Sequence, residues 1–444
     1  MANPNDSTAP AHLQRALRRV LWRLMPMLLL MYVLAYLDRA NLGFAKQAYL
    51  KDTGFSEAAY AFGAGIFFIG YAILEVPSNL ILHRVGARWW LSRIMVSWGL
   101  VAAAMAYAKS ETVFYFLRFL LGVTEAGFFP GVIYYLTHWF PHSVRGRAIG
   151  IFYFGPSLAL SLGGPLSGLL LEMDGVANYQ GWQWMFIVEG LLASIVGVIA
   201  FFVLHDRPAD AQWLPQDERN ALESAIARET APSAKSELNI ITTLFRPRIL
   251  CFATVYFLIQ MSVYGVIFYL PSTISKLIGR PTGWEVGVLS AIPWICALVA
   301  SYSVPRWAGA SERRGVVGAA SLIAASLGIA ASASRDPIIG IFALSVAAAG
   351  FIAVQPIFWT FPTQELHGAS AAGAIGLINA LGNLGGFVAP NVRVWAEKLA
   401  SDYALTLASP GISILAFVTL IGAVAFFVLA RSSRCQPATP ATSS

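Results

Sequence analysis

The sequence predicts an all-α integral membrane protein with twelve transmembrane helices in two six-helix bundles, and three observations predict it. Hydrophobic residues fill 57% of the 444 positions and charged residues only 12%, against roughly 25% charged in an ordinary soluble domain. The apolar residues fall in runs of the ~20 positions that a helix needs to cross a bilayer. The longest polar stretch, His205 to Arg248, separates the first six runs from the last six.

In chain order, the first half places spans at about 22–44, 58–82, 91–108, 112–138, 146–170 and 183–204. The second half places them at about 247–271, 284–307, 314–333, 337–361, 370–391 and 409–431. Arg15, Arg18, Arg19 and Arg23 before the first run resemble the start of a signal peptide. The run passes into Asp38-Arg39 without a small-residue cleavage site, so it reads as an uncleaved first span. Residues 1–204 then form one bundle and 247–444 the second with its tail. Between them 205–246 is a cytoplasmic linker in which Pro215-Gln216-Asp217-Glu218 opens a surface helix. The halves echo one another: Ala148-Ile149-Gly150 and Gly163-Gly164 in the fifth span answer Ala374-Ile375-Gly376 and Gly385-Gly386 in the eleventh. Small residues let helix backbones approach closely in lipid, and the layout fits two repeated bundles around a central site.

The formal charge of +7 comes from Lys and Arg clustered between spans, which argues against nucleic acid as a partner. The N-terminus, Arg84/Arg88/Arg93, Arg145/Arg147, the linker, Arg306/Arg313/Arg314 and Arg431/Arg434 fall on one side of a twelve-span chain. The positive-inside rule makes that side, and both termini, cytoplasmic. Cys251, Cys296 and Cys435 lack metal-ligand spacing and read as unpaired packing residues. There is no phosphate-cradling glycine loop, no Ser/His/Asp set and no zinc pattern, so nothing points to an enzyme, an ATP-driven pump, a metal or a cofactor.

Charges inside spans carry the functional reading, because an ionised side chain at a bilayer centre costs roughly 2.5–3.5 kcal/mol on insertion scales. Asp38-Arg39 sits at the outer end of the predicted first span. Arg118 and Glu125 lie seven residues apart in the fourth, on one helix face and ~10 Å apart along the axis. A carboxyl among apolar groups can carry a proton at physiological pH and release it when its cavity hydrates. Asp38 and Glu125 are therefore the proton-coupling candidates, with a structural ion pair to Arg39 or Arg118 as the alternative for Asp38. An organic anion needs a cation, and arginine binds carboxylate bidentately and stays charged. Arg118 is the first candidate and Arg39 the second, with interfacial snorkelling as the alternative for Arg118 and snorkelling or ion pairing as the alternative for Arg39. Asn379 and Asn383 share a face of the eleventh span and can hydrogen-bond either substrate or a facing helix. Tyr36, Tyr71 and Trp359 suit a ligand wall. Glu75 reads as structural, and His138 and His142 as residues of a helix end.

Several stretches resemble the major facilitator superfamily, and within it the anion:cation symporter group of tartrate, sugar-acid, phthalate and 4-hydroxyphenylacetate permeases. They are Tyr36 to Ala45, Gly70-Tyr71 through Glu75-Val76-Pro77-Ser78-Asn79, Arg118 to Phe128, Gly181-Trp182-Gln183-Trp184 with Val188-Glu189-Gly190, Asp206-Arg207-Pro208 with Trp213-Leu214, and Asn379 to Phe387. Two loops depart from the family pattern. After the second span the chain reads His83-Arg84-Val85-Gly86-Ala87-Arg88 without the family's Asp, and after the eighth it has Pro305-Arg306 where Asp-Arg is usual. The fifth span has Phe154-Gly155-Pro156-Ser157 where related sugar-acid carriers can place an amide, which argues against a heavily hydroxylated substrate. The resemblance implies a multi-pass bacterial inner-membrane protein, working as a monomer, that takes up a small organic anion such as tartrate together with protons. An aromatic acid, exchange or efflux, and a transporter-like sensor are the alternatives.

Overall fold

The computed structural model describes residues 9–229, 246–309, 313–365, 369–403 and 409–434. Cys435 and the later part of the linker lie outside them. Among the described residues the regular elements are all helical. The N-terminal half carries α1 (Ala9–Thr53), α2 (Glu57–Val85), α3 (Ala87–Ala104), α4 (Glu111–Glu125), α5 (Phe128–Trp139), α6 (His142–Phe152), α7 (Gly155–Leu171), α8 (Gly181–Val203) and the linker helix α9 (Gln216–Glu229). The C-terminal half carries α10 (Pro247–Ile267), α11 (Leu270–Ile278), α12 (Trp284–Ala308), α13 (Arg314–Ala331), α14 (Pro337–Glu365), α15 (Ala369–Asn383), α16 (Gly385–Asp402) and α17 (Pro410–Arg434). Twelve stretches, from Ala11–Thr53 to Pro410–Ser432, are long and apolar enough to cross a membrane.

Packing divides the chain into two compact units, Met1–Phe55 with Ile66–Ser236, and Ser56–Gly65 with Glu237–Ser444. In the N-terminal unit α3 packs on α8, and α1 on α7 and α8. In the C-terminal unit the counterparts repeat these pairings: α13 packs on α17, and α10 on α15, α16 and α17. The repeat is thus a repeat of packing partners. Not all the echoed small residues serve it: a Cβ on Gly150 or Gly376 would meet nothing, whereas one on Gly163 would press on Leu37 and one on Gly385 on the Phe257 carbonyl.

Several span boundaries differ from expectation, each for a local reason. The first helix does not stop near residue 44. It runs 45 residues to Thr53, ~68 Å at 1.5 Å per residue, about twice the ~30 Å of bilayer hydrocarbon. Its polar start is held by the linker helix: Arg15 and Arg19 reach the buried Glu218 of α9 at 3.7 and 3.2 Å, and Arg23 lies 4.9 Å over the Trp213 ring. Asp38 and Arg39 are consequently deep inside α1 and not at its end. The fourth span is broken between α4 and α5, immediately after Glu125. Gly127 has φ +85°, a left-handed conformation that favours glycine, and the Ala126 carbonyl accepts from Ser78 Oγ of α2 at 2.7 Å. At the start of α3, where the loop lacks the family's acid, Asp206 supplies one from beyond α8: its Oδ1 accepts from the Arg88 backbone N–H at 2.9 Å. A negative charge there complements the exposed N–H groups of a helix start. Cys251 and Cys296 are free and exposed on the protein surface, so they are not the packing residues their apolar surroundings suggested.

Helices α2 and α4 meet backbone to backbone. A Cβ on Gly122 would strike the Phe67 carbonyl, and one on Gly70 the Phe119 carbonyl, so the two chains approach through reciprocal glycines. Overpacking of this kind costs about 1–3 kcal/mol. Gly122→Val is therefore expected to lower the thermal midpoint of the detergent-purified protein by several degrees, while Gly150→Val leaves it unchanged; equal midpoints would contradict the close approach.

Candidate functional site

Three helices of the N-terminal unit bring the charged candidates together. On α1, Tyr36 and Arg39 lie three residues apart and so share a face, while Asp38 and Asn41 make a second such pair. Glu125 is the last residue of α4, held there by the break after it. Arg39 donates to it from Nε at 2.9 Å and from Nη2 at 2.5 Å, both to the same oxygen, Oε1. Glu125 is fully buried and Arg39 nearly so. The guanidinium is also walled by aromatic rings, 5.1 Å from the centroid of Tyr36, 5.4 Å from Phe67 and 5.2 Å from Tyr71. Cations over such faces gain roughly 0.5–2 kcal/mol.

Arg118 lies within α4, 1% exposed, with its guanidinium 5.1 Å from the Phe67 centroid. Phe67 therefore touches both arginines, and the α2–α4 approach is what carries it there. Asp38 is buried within electrostatic reach of Glu125, Arg118 and Arg39, and faces the Trp98 indole. Two acids and two arginines make this cluster neutral when all four are ionised. It is nonetheless not saturated: Asp38 Oδ2 and Glu125 Oε2 have no hydrogen-bond partner. Removing one partner of a buried ion pair is destabilising by roughly 3–5 kcal/mol because the other charge stays behind.

Arg39 is not snorkelling at an interface but pairs directly with Glu125. The cation that meets Glu125 comes from α1 rather than from its own helix. Arg118 is likewise buried, which removes the interfacial alternative. Tyr36 and Tyr71 are 8% and 1% exposed and lie beside Arg39.

The C-terminal unit holds a neutral polar node. Asn379 and Asn383 of α15 are both buried. Asn383 accepts from Gln260 Nε2 of α10 at 3.0 Å and donates to the Asn379 carbonyl at 3.0 Å. Trp359 of α14 packs edge-on against Tyr256, centroids 5.0 Å apart, and its indole N–H has no partner. Gln260 Oε1 is also unpartnered.

Sequence reasoning missed Gln260, Phe67 and Glu189. Gln260 was visible as an amide within an apolar run. Phe67 gave no signal, since any of the aromatic residues of α2 could have turned toward the arginines. Glu189 was noted as part of a family stretch but not weighed as a buried acid; it is 3% exposed on α8 and accepts from Ser167 Oγ at 3.0 Å. Glu75 is fully buried on α2. Among the described residues no group of three or more His, Cys, Asp or Glu side chains could hold a metal ion.

Known proteins resemble the chain over nearly its whole length. Residues 28–390 match the model of the Major Facilitator Superfamily. The chain is 47% identical over 408 residues to the inner membrane transport protein RhmT of Escherichia coli (strain K12), covering 92% of this chain and 93% of that protein. It is 42% identical to a protein of Agrobacterium vitis named "Putative tartrate transporter", covering 94% and 92%, and 38% identical to a quinolone resistance transporter of Acinetobacter baumannii, covering 93% and 94%. In fold it resembles the crystal structure of a D-xylose-proton symporter, with TM-score 0.75 at 15% identity over 94% of this chain and 100% of that one. The two bundles of apolar helices, the buried charges and these matches agree: the chain belongs to the Major Facilitator Superfamily, and is a secondary active transporter of small organic solutes rather than an enzyme.

Proposed function

We propose that the protein takes up a small organic carboxylate, tartrate or a related hydroxy acid, together with protons across a bacterial inner membrane, with both termini in the cytoplasm. The observation that carries this reading is the Arg39–Glu125 pair. Both guanidinium donors go to one oxygen of Glu125, so a substrate carboxylate and Glu125 compete for the same cation. Protonating Glu125 weakens the pair and frees Arg39 for the substrate, and the arriving anion in turn replaces the charge that the proton cancelled. Substrate and proton then bind together, which is the requirement for symport. Asp38 is the second proton-coupling acid, Arg118 the second cation, and Tyr36 and Tyr71 the wall that orients Arg39. Asn379, Asn383 and Trp359 supply neutral contacts to the uncharged part of the substrate.

One relative supports an organic anion by its name, which is that of a tartrate transporter. A second reading, export of an amphipathic compound, is favoured by the relative named for quinolone resistance. A protonophore separates the two, lowering cellular substrate content for uptake and raising it for export.

Two variants test the site. In proteoliposomes Glu125→Gln is expected to abolish uphill accumulation driven by an inward proton gradient while counterflow persists; uphill uptake equal to that of the unaltered protein would sink the coupling role. Arg39→Lys keeps the charge but loses the planar fork. Hydrogen bonds to charged groups are worth about 1.5–3 kcal/mol, so its substrate affinity, measured by calorimetry on protein that elutes as a single peak, is expected to fall roughly 10- to 100-fold.

A further inference from the structure

Beside Asp38 the N-terminal unit holds a polar cluster that the transport reading does not use. Glu189 of α8 accepts from Ser167 Oγ of α7 through Oε1 at 3.0 Å, and its Oε2 has no hydrogen bond. Asn41, one turn beyond Asp38 on α1, is completely buried. Its amide lies against the Glu189 carboxyl, yet neither Nδ2 nor Oδ1 reaches a well-formed hydrogen bond. The groups acting on Glu189 are Ser167, Asp38 and Asn41, none of them a cation. Near Glu189, α3 packs on α8 through Met95, Val96, Gly99 and Ala103, which carry no charge; the charged contact between these helices, from Arg88 Nε to the Phe201 carbonyl at 2.6 Å, lies at the far end of α8. Arg39 and Arg118 act on Asp38 and Glu125 instead.

A buried carboxyl with no countercharge is tolerable in apolar surroundings when it carries a proton. We propose that Glu189, with Asn41 and Ser167, is a further proton-binding site of this unit, and that its occupancy is linked to the charge on Asp38. When Asp38 is ionised, repulsion keeps the proton on Glu189. When Asp38 is neutral that repulsion is gone, so Glu189 gives up its proton more readily once water reaches it, and the hydroxyl of Ser167 and the amide N–H of Asn41 donate to the carboxylate left behind. The uncommitted amide suits both states, because its Oδ1 accepts from the protonated carboxyl and its Nδ2 donates to the ionised one. Proton binding itself does not depend on which substrate is carried; its use in transport rests on the proton-coupled reading.

Infrared titration of the purified full-length protein in detergent tests this through the carbonyl band of protonated carboxyls. The unaltered protein is expected to show a titrating component that Glu189→Gln removes. Ser167→Ala deletes a donor to the ionised form, so that component should move to higher pH; Asp38→Asn deletes the repulsion, so it should move to lower pH. The opposite shifts come from two other helices and so do not depend on the folding of the Glu189 variant. A component unaffected by Glu189→Gln, or one that stays put in both other variants, overturns the proposal. Loss of proton-driven uptake with the component intact would instead count against the proton-coupled reading alone.

Discussion

Arg39 and Glu125 hold each other in the N-terminal unit, and much else there follows from the need to keep two charges together away from water. Each alone would be strongly unfavourable in an apolar bundle. Their meeting requires α1 to run unbroken past residue 44, so that Arg39 lies deep in the helix. It also requires α4 to end at Glu125, which the left-handed Gly127 and the Ser78 hydroxyl bring about. Close contact of α2 with α4 through Gly70 and Gly122 then delivers Phe67 and Tyr71 as aromatic faces against the guanidinium.

The two units divide the chemistry between them. The N-terminal unit concentrates ionisable groups: Asp38, Arg39, Arg118, Glu125 and Glu189 are all buried in it. The polar candidates of the C-terminal unit are amides and an indole, Gln260, Asn379, Asn383 and Trp359, which change no charge with pH. One guanidinium cannot serve Glu125 and a substrate carboxylate equally, and for that reason the proposed symport turns on the Arg39–Glu125 pair.

Helix count, the location of the linker helix and the identity of the charged cluster were legible in the sequence because apolar runs and isolated charges are first-order signals. Arg118 and Glu125 fell on one face by spacing alone. What could not be read was which charges meet across helices. Arg39 looked shallow because the apolar run was read as ending near residue 44, whereas α1 continues to Thr53. The break at Ala126 was hidden for a similar reason: Glu-Ala-Gly within an apolar run is compatible with a continuous helix, and only the Ser78 contact from α2 decides otherwise. The partner of Asn383, Gln260, lies 123 residues away in sequence, beyond the reach of any local pattern.

If substrate and proton share the Arg39–Glu125 pair, binding calorimetry detects the sharing without any transport assay. Tartrate is titrated into the purified protein at one pH in two buffers of different ionisation enthalpy, and the titration is repeated at lower pH. Thermodynamic linkage makes proton and substrate affinities reciprocal, so binding is expected to take up protons from the buffer, and to take up fewer in Glu125→Gln. Equal heats in both buffers, together with an affinity that does not strengthen as the pH falls, would show that the pair is not shared.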